Sequence, residues 1–144
     1  MQDYETVRKL GQGAMGSVAL VRRRSDRRLL ALKSVAIFSS HDRQVAANEV
    51  KILGSLSHPH VVRFEGSFVH ETDLCIVMQH CPGGDLAELR TKRRRMGKRL
   101  PDSAVRCVLS QLASALAHVH SKRIVHRDIK APAAARACQR GARV

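Results

Sequence analysis

The stretch LGQGAMGSV, residues 10–18, carries three glycines in the pattern GxGxxG, at Gly11, Gly13 and Gly16. Glycines at this spacing let backbone amides approach phosphate oxygens without a clash from a Cβ atom. The glycine-rich turn of an ordinary β-hairpin has the same pattern. The residues after the last glycine therefore decide which interpretation holds.

Three phosphate-binding schemes use such glycines, and two of them disagree with the residues that come after Gly16. A Walker loop needs Lys and Ser or Thr directly after its last glycine, but Ser17 and Val18 stand there. A dinucleotide-binding fold needs a helix to begin in the motif and an acidic residue about twenty positions on. Here the next residues are typical of a strand, and the distant position is Lys33. A glycine-rich flap between two strands remains.

The segments around this flap predict an antiparallel sheet. Three β-rich runs, Val7 to Leu10, Ser17 to Arg22 and Leu29 to Val35, are separated by turn residues. Two further runs, Val61 to Phe68 and Leu74 to Met78, flank a polar turn and predict another hairpin.

Between the third and fourth strands, the apolar period changes to that of a helix from about Asp42 to Leu56, with Ser39 or Ser40 as N-cap. Glu49 lies on its apolar stripe. That stripe comprises Val45, Ile52, Leu53 and Leu56.

The segment HCPGGDL, residues 80–86, breaks this regularity, and helical patterns come after it. The clearest one begins near Pro101, a residue suited to the first helical position, and predicts a buried helix of about five turns. Its apolar positions are Val105, Val108, Leu109, Leu112, Leu116 and Val119.

Two charged residues stand in otherwise apolar surroundings. Lys33 lies among the apolar residues of the third strand, and Glu49 lies on the apolar stripe of the helix. Since an isolated charge that faces a core is costly, we expect the two side chains to meet. A lysine held by a glutamate is a fixed positive charge for nucleotide phosphates. Two independent surface residues are the alternative.

The segment HRDIK, residues 126–130, supplies the remaining chemistry. Asp128 has a carboxylate that can accept a proton from a substrate hydroxyl, and Lys130 can steady a transferring phosphoryl group. Alone, the tripeptide His-Arg-Asp means little. After a glycine flap, a strand lysine and a helix glutamate, it indicates phosphoryl transfer.

Composition and charge limit the other functions that the chain could have. The chain has 144 residues, a net charge of +14 and only 3% aromatic residues. Basic residues cluster within residues 22–28 and 92–99, as solvated turns, as a nuclear-import signal or as a patch for acidic partners. Without interleaved aromatics no specific nucleic-acid binding is expected.

Metal and membrane functions find no support in the sequence. The four cysteines lack zinc-site spacing, and the paired histidines of residues 58–60 and 118–120 are expected to be structural. No apolar run approaches the ~20 residues of a membrane span. We expect an intracellular, cytoplasmic protein, with the cytoskeleton or nucleus as alternatives.

With its motifs in this order, the sequence resembles a eukaryotic protein kinase over about residues 4 to 130. The segments IVMQHCPGGDL, residues 76–86, and SQLASALAHVHSKRIVHRDIK, residues 110–130, are similar to the NimA-related serine/threonine kinases. The resemblance implies an α+β fold with a complete N-lobe, which is a five-stranded antiparallel sheet plus one helix, and only the beginning of a helical C-lobe.

The resemblance also implies the ATP contacts. Val18 and Ala31 would bound the adenine, Met78 would be the gatekeeper, and Gln79 and Cys81 would offer hinge backbone hydrogen bonds. Asp85 would lie near the ribose or the substrate. The flap over ATP would consist of Leu10, Gly11, Gln12, Gly13, Ala14, Met15, Gly16, Ser17 and Val18.

The pattern breaks after Lys130. Ala133 stands where the family motif has a magnesium-binding Asn, and no Asp-Phe-Gly occurs after it. The expected division is an N-lobe at 1–79, a hinge at 80–85, a partial C-lobe at 86–130 and a disordered tail at 131–144.

Three functions are consistent with these expectations. The first is a serine/threonine kinase that uses ATP and acts on proteins, truncated and inactive as given because its Mg²⁺ ligands are missing. The second is a non-catalytic fragment that binds nucleotide or a regulatory partner. The third, a basic protein that binds polyanions, rests on charge alone.

Overall fold

The computed structural model describes residues 2–13 and 16–130, which form two compact units. The first unit holds the sheet and one helix and comprises the described residues up to Ser57 together with Val62–His80. The second unit comprises His58–Val61 and the described residues from Cys81 onward. The tail predicted at 131–144 lies outside the described residues. The strands and helices are β1 (Tyr4–Gly13), β2 (Gly16–Arg23), β3 (Leu29–Ala36), α1 (Ser40–Ser55), β4 (Phe64–His70), β5 (Asp73–Gln79), α2 (Leu86–Arg95) and α3 (Asp102–Ser121).

The first unit is a five-stranded antiparallel sheet in the order β1-β2-β3-β5-β4. β1 and β2 form the hairpin that carries the glycine motif, with Gly13 opposite Gly16. The sheet, α1 and the helices after it confirm the predicted fold class. β1 is longer than predicted because pairing with β2 extends it from Tyr4 to Gly13, through polar residues that carry no strand pattern.

The core of the first unit consists of two clusters of buried side chains. One cluster is built on Val21, Leu30, Leu32, Cys75 and Val77, which all belong to the three central strands. The other cluster joins Ala46 of α1 to Leu74 and Ile76 of β5, with Leu53, Phe64 and Met78 packed against it. α1 is therefore fixed to the sheet through β5.

α1 begins with a complete capping box. The hydroxyl of Ser39 accepts a hydrogen bond from the backbone N–H of Asp42, and the Asp42 carboxylate accepts one from the Ser39 N–H. Such a cap satisfies N–H groups that the first turn leaves unpaired. Of the two predicted caps, Ser39 is therefore the one used.

The predicted apolar stripe of α1 is wrong at Val45, which is 55% exposed. Leu53 of that stripe does pack against the core, together with Val50 and the buried Ala46. The face that meets the sheet is therefore turned from the predicted one toward Ala46. Glu49 lies at the edge of this face.

In the second unit, α2 begins with its own capping box between Asp85 and Glu88. α3 is less buried than predicted: Ala115 and Val119 are buried, whereas Val105 is 40% and Leu109 58% exposed. The buried end is the one against which His58 lies. In the part of the chain that the structure describes, no helix combines the length and apolar character of a membrane span.

Candidate functional site

The ion pair between Lys33 and Glu49 is the centre of the candidate site. Lys33 on β3 places its Nζ 2.7 Å from Oε1 of Glu49 on α1. The lysine side chain is 21% exposed and the glutamate side chain 39%, so both reach solvent. The structure thus brings together the two charges that the sequence analysis expected to meet, and it leaves the lysine accessible to a ligand.

Strand register places the other first-unit site residues on the same face of the sheet. Val18 of β2 lies opposite Lys33, and Ala31 of β3 lies opposite Met78 of β5. Since residues directly opposite one another, and residues two apart on one strand, point to the same face, these four side chains share one face. An apolar surface therefore adjoins the lysine.

The glycines of the flap have two different reasons to be glycine. Gly16 has φ +117, and a Cβ at this position would lie 2.0 Å from the carbonyl oxygen of Ser34, so no other residue fits without a backbone shift. A Cβ at Gly11 or Gly13 would meet nothing within 4 Å among the described residues. No contact with those residues requires glycine at these two positions, and their bare backbone is open to a ligand.

The remaining flap residues continue β1 and β2. Leu10 is 36% exposed, Gln12 accepts a hydrogen bond from Lys9 through Oε1, and Ser17 pairs with Ser34. Ala14 and Met15, also predicted to cover ATP, lie outside the described residues.

The predicted hinge residues fall in both units. In the first unit, the backbone N–H of Gln79 donates to the carbonyl oxygen of Arg63 at 2.9 Å, which occupies that donor. In the second unit, Cys81 is half-buried, and burial raises the pKa of its thiol. The Asp85 carboxylate accepts a hydrogen bond of 2.7 Å from the Glu88 N–H, so in this structure it caps α2.

The predicted catalytic residues lie in an exposed segment without regular structure. Nζ of Lys130 is 2.8 Å from Oδ2 of Asp128. The Asp128 backbone N–H donates to Nδ1 of His126 at 3.3 Å, and Arg127 has φ 65. This backbone presents Asp128 and Lys130 as a solvent-accessible pair, with the aspartate side chain 66% exposed.

Sequence reasoning missed two features. The carbonyl of Ser34, which requires glycine at position 16, has no sequence signal, because the contact crosses between strands. The sequence predicts a basic cluster at 92–99, but it does not show that Arg93, Arg94, Lys98 and Arg99 of this cluster line a cavity with Arg90 and Gly97. A glycine just after a helix that ends in arginines was the signal, since it marks a cap that reverses the chain.

Comparison with known proteins identifies the family. The sequence-family model of the protein kinase domain matches residues 4–132 of this chain. The serine/threonine-protein kinases Nek3 of Mus musculus and Nek8 of Danio rerio are 36% and 37% identical over 130 and 132 residues, 90% of this chain in both cases. Nek1 of Mus musculus is 34% identical over 132 residues. This chain belongs to the protein kinase family, and within it to the NimA-related serine/threonine kinases.

The match covers only part of each relative. The chain spans 25% of the length of Nek3, 19% of Nek8 and 11% of Nek1. Protein kinases in general use ATP and Mg²⁺ and act on protein substrates.

The described residues fit ATP better than they fit a metal ion. The accessible lysine, the open glycine backbone and the adjoining apolar face suit a nucleotide triphosphate. No group of three or more His, Cys, Asp or Glu side chains that could hold a metal ion occurs among residues 2–13 and 16–130. A magnesium site does not follow from these residues.

Proposed function

We propose that this chain binds ATP through its first unit and forms part of a kinase that phosphorylates serine or threonine side chains of proteins. The observation that carries the proposal is the 2.7 Å contact between Lys33 and Glu49. In this scheme residues 1–79 are the nucleotide lobe, 80–85 the hinge, 86–130 the start of the second lobe and 131–144 a tail. The protein acts inside the cell.

Lys33 provides the charge that the phosphates need. Glu49 holds the ammonium group in one place, so the ligand does not have to order a flexible side chain when it binds. Val18, Ala31 and Met78 supply an apolar surface for the adenine, and Gly11 and Gly13 allow backbone amides to approach the phosphates.

Asp128 is the proposed general base. Its carboxylate accepts the proton of a serine or threonine hydroxyl while the hydroxyl oxygen bonds to the γ-phosphorus. The bond between that phosphorus and the β–γ bridging oxygen breaks, and ADP leaves with the electron pair. Lys130, whose Nζ is 2.8 Å from the Asp128 carboxylate, is the proposed cation that neutralises charge on the transferring group.

A second candidate is a chain that binds nucleotide, or a partner, without transferring phosphate. The observation in its favour is that the described residues hold a complete lysine–glutamate pair but no group of metal ligands. Ala133 also stands where the kinase motif has Asn. In this second candidate, the polypeptide of residues 1–144 binds ATP and transfers phosphate at a negligible rate.

Nucleotide binding tests the first step. ATP affinity is measured by calorimetry, without and with Mg²⁺, for the chain, for Lys33→Met and for Lys51→Met. Lys51 is an exposed lysine of α1 and serves as the matched control. Loss of a charge-assisted contact should weaken binding about tenfold or more in Lys33→Met and leave Lys51→Met unchanged. Equal affinities in all three proteins would refute the proposal.

Phosphate transfer separates the two candidates. The chain and its Asp128→Asn variant are incubated with labelled ATP, Mg²⁺ and a peptide that contains serine and tyrosine. Label on serine that disappears in Asp128→Asn would exclude the non-catalytic candidate. ATP binding without label on the peptide would support it.

A further inference from the structure

The second basic segment is folded into a specific shape by the end of α2. The backbone N–H of Gly97 donates to the carbonyl oxygen of Arg94 at 3.0 Å, and that of Lys98 donates to the carbonyl oxygen of Arg93 at 2.9 Å. With Gly97 at φ +67, this is a Schellman cap, which reverses the chain direction. Residues after the helix are therefore returned to the side of its last turns.

This reversal creates a cavity of about 440 Å³, here called the cationic pocket. Nη1 of Arg93 donates to the carbonyl oxygen of Arg99 at 3.3 Å, which ties the returning chain to the helix. The pocket is lined by Gly97, Leu100 and five cationic residues, which are Arg90, Arg93, Arg94, Lys98 and Arg99. All of them belong to the second unit.

None of these five cations forms an ion pair with a carboxylate in the part of the chain that the structure describes. The two acidic residues at the start of α2, Asp85 and Glu88, are engaged in its capping box. The dipole at the C-terminus of α2 favours cations in its last turn, but Lys98 and Arg99 lie after that turn. The mutual repulsion of the five charges is left without a counter-charge from the described residues.

We propose that the cationic pocket binds a compact ligand that carries several phosphate groups on one small ring, either free in solution or as the headgroup of a lipid. Guanidinium groups pair with phosphate oxygens through two parallel hydrogen bonds, and four of the five cations are arginines. The cavity volume lies within the range of roughly 300–1,000 Å³ of small-molecule sites.

The pocket fits such a ligand better than it fits a nucleic acid strand. No aromatic side chain lines it, so bases have no surface on which to stack. A duplex presents phosphates along a line, whereas these five cationic residues line a single cavity. Several phosphates on one small ring match this clustering of cations around one cavity.

Direct binding tests the proposal. Inositol hexakisphosphate is titrated into the chain at ~0.15 M salt, because charge-driven binding is meaningful only at a stated ionic strength. The pocket variant carries Arg90→Gln, Arg94→Gln and Lys98→Gln at three exposed positions, where glutamine keeps an unbranched polar side chain without the charge. The control variant, Arg24→Gln, Arg43→Gln and Lys51→Gln, removes the same charge from exposed positions of the first unit.

The pocket variant should bind inositol hexakisphosphate about a hundredfold more weakly, while the control variant changes by less than about threefold. Binding should persist in Lys33→Met, which separates this site from the ATP site, so either proposal can fail without the other. Circular dichroism of the pocket variant should match that of the unmodified chain. No binding, an equal loss in the control variant, or equally tight binding of a DNA duplex that also depends on the pocket would overturn the proposal.

Vesicles distinguish the two sources of the ligand. Phosphatidylcholine vesicles that contain a phosphatidylinositol bisphosphate are compared with vesicles that contain phosphatidylserine. Binding to the first alone, lost in the pocket variant, identifies a lipid headgroup. Binding of inositol hexakisphosphate without binding to either vesicle identifies a soluble ligand.

Discussion

Two arginine-rich regions of this kinase chain use the same residue type in opposite ways. In the first unit, Nη2 of Arg23 lies 2.5 Å from Oδ2 of Asp26, and both Arg28 and Arg63 lie within 3.2 Å of Oε1 of Glu65. In the cationic pocket, no carboxylate of the described residues pairs with the arginines. The pair of Arg28 and Glu65 links the turn after β2 to β4. The pocket arginines form no such pair among the described residues, so their charges are available to a ligand.

The apolar residues of the two units differ in the same way. Of the eleven buried apolar residues among those described, nine lie in the first unit. The second unit buries Ala115 and Val119, while Leu109 of α3 stays 58% exposed. The buried core of the described residues therefore lies mainly in the first unit, although both units expose large apolar side chains, such as Phe38 at 88% in the first.

The largest expected effect compares one apolar residue from each unit. Ile76 of β5 is fully buried in the cluster that includes Ala46 of α1. Ile76→Ala should therefore lower the free energy of unfolding by about 2–5 kcal/mol. Leu109→Ala, at an exposed position of a helix that tolerates alanine, should change it by less than about 0.5 kcal/mol. Urea unfolding measures both variants, and equal losses would contradict the difference between the units.

A smaller effect is expected when the carboxylate shared by Arg28 and Arg63 is neutralised. The Glu65 side chain is 10% exposed, whereas those of Arg28 and Arg63 are 45% and 61% exposed, so the pairs are partly screened by water. Glu65→Gln should lower the free energy of unfolding by about 1 kcal/mol at neutral pH. Glu71→Gln, in a turn, is the control, and a similar loss there would show that the Glu65 pairs contribute nothing specific.

The carboxylates of Asp26 and Glu65 should make the stability of the first unit sensitive to acid. The hydrogen bond from Arg23 lowers the pKa of Asp26 from 3.8 to about 2. For Glu65, burial acts to raise the pKa, but hydrogen bonds and charge from Arg63 and Arg28 outweigh it, and the pKa falls below its ordinary 4.5. The folded state then holds these protons less tightly than the unfolded state.

The stabilisation from these carboxylates is therefore present above about pH 4.5 and lost as the pH falls toward about 2. The urea midpoint of the unmodified chain should fall more steeply between about pH 5 and pH 3 than that of Glu65→Gln. Parallel curves for the two proteins would count against Glu65 as a source of this acid sensitivity.

The smallest expected effect concerns the cationic pocket. The variant with Arg90→Gln, Arg94→Gln and Lys98→Gln removes repulsion and breaks no ion pair of the described residues, so its stability should change by no more than about 0.5 kcal/mol, toward greater stability at low salt. Thermal unfolding at low and high salt measures this. A loss as large as that of Glu65→Gln would mean that these cations have structural partners and that the comparison fails.

Most of the fold follows from local pattern. Strand alternation, turn residues and the proline-led helix predicted the element order, and the Lys33–Glu49 contact followed from the cost of two isolated charges. The exposure of Val45 did not follow, because Val45 and Ala46 are both apolar and only contact with β5 selects one of them. The burial of α3 was overestimated because an apolar stripe shows that a helix can pack, not what covers it.

By itself the sequence determined the protein kinase family, the antiparallel sheet with its glycine flap, and the residue types available for nucleotide chemistry. These features depend on the spacing of residues along the sequence and on local backbone preferences, both of which can be read from the sequence alone. Only the tertiary structure decided that Gly16 faces the Ser34 carbonyl and that Glu65 pairs with Arg23 and Arg28 of the first basic cluster. It also decided that the Gly97 cap folds the second basic cluster into a pocket. Each of these depends on which atoms meet across turns and strands, and charge or hydrophobicity along a sequence does not specify such distances.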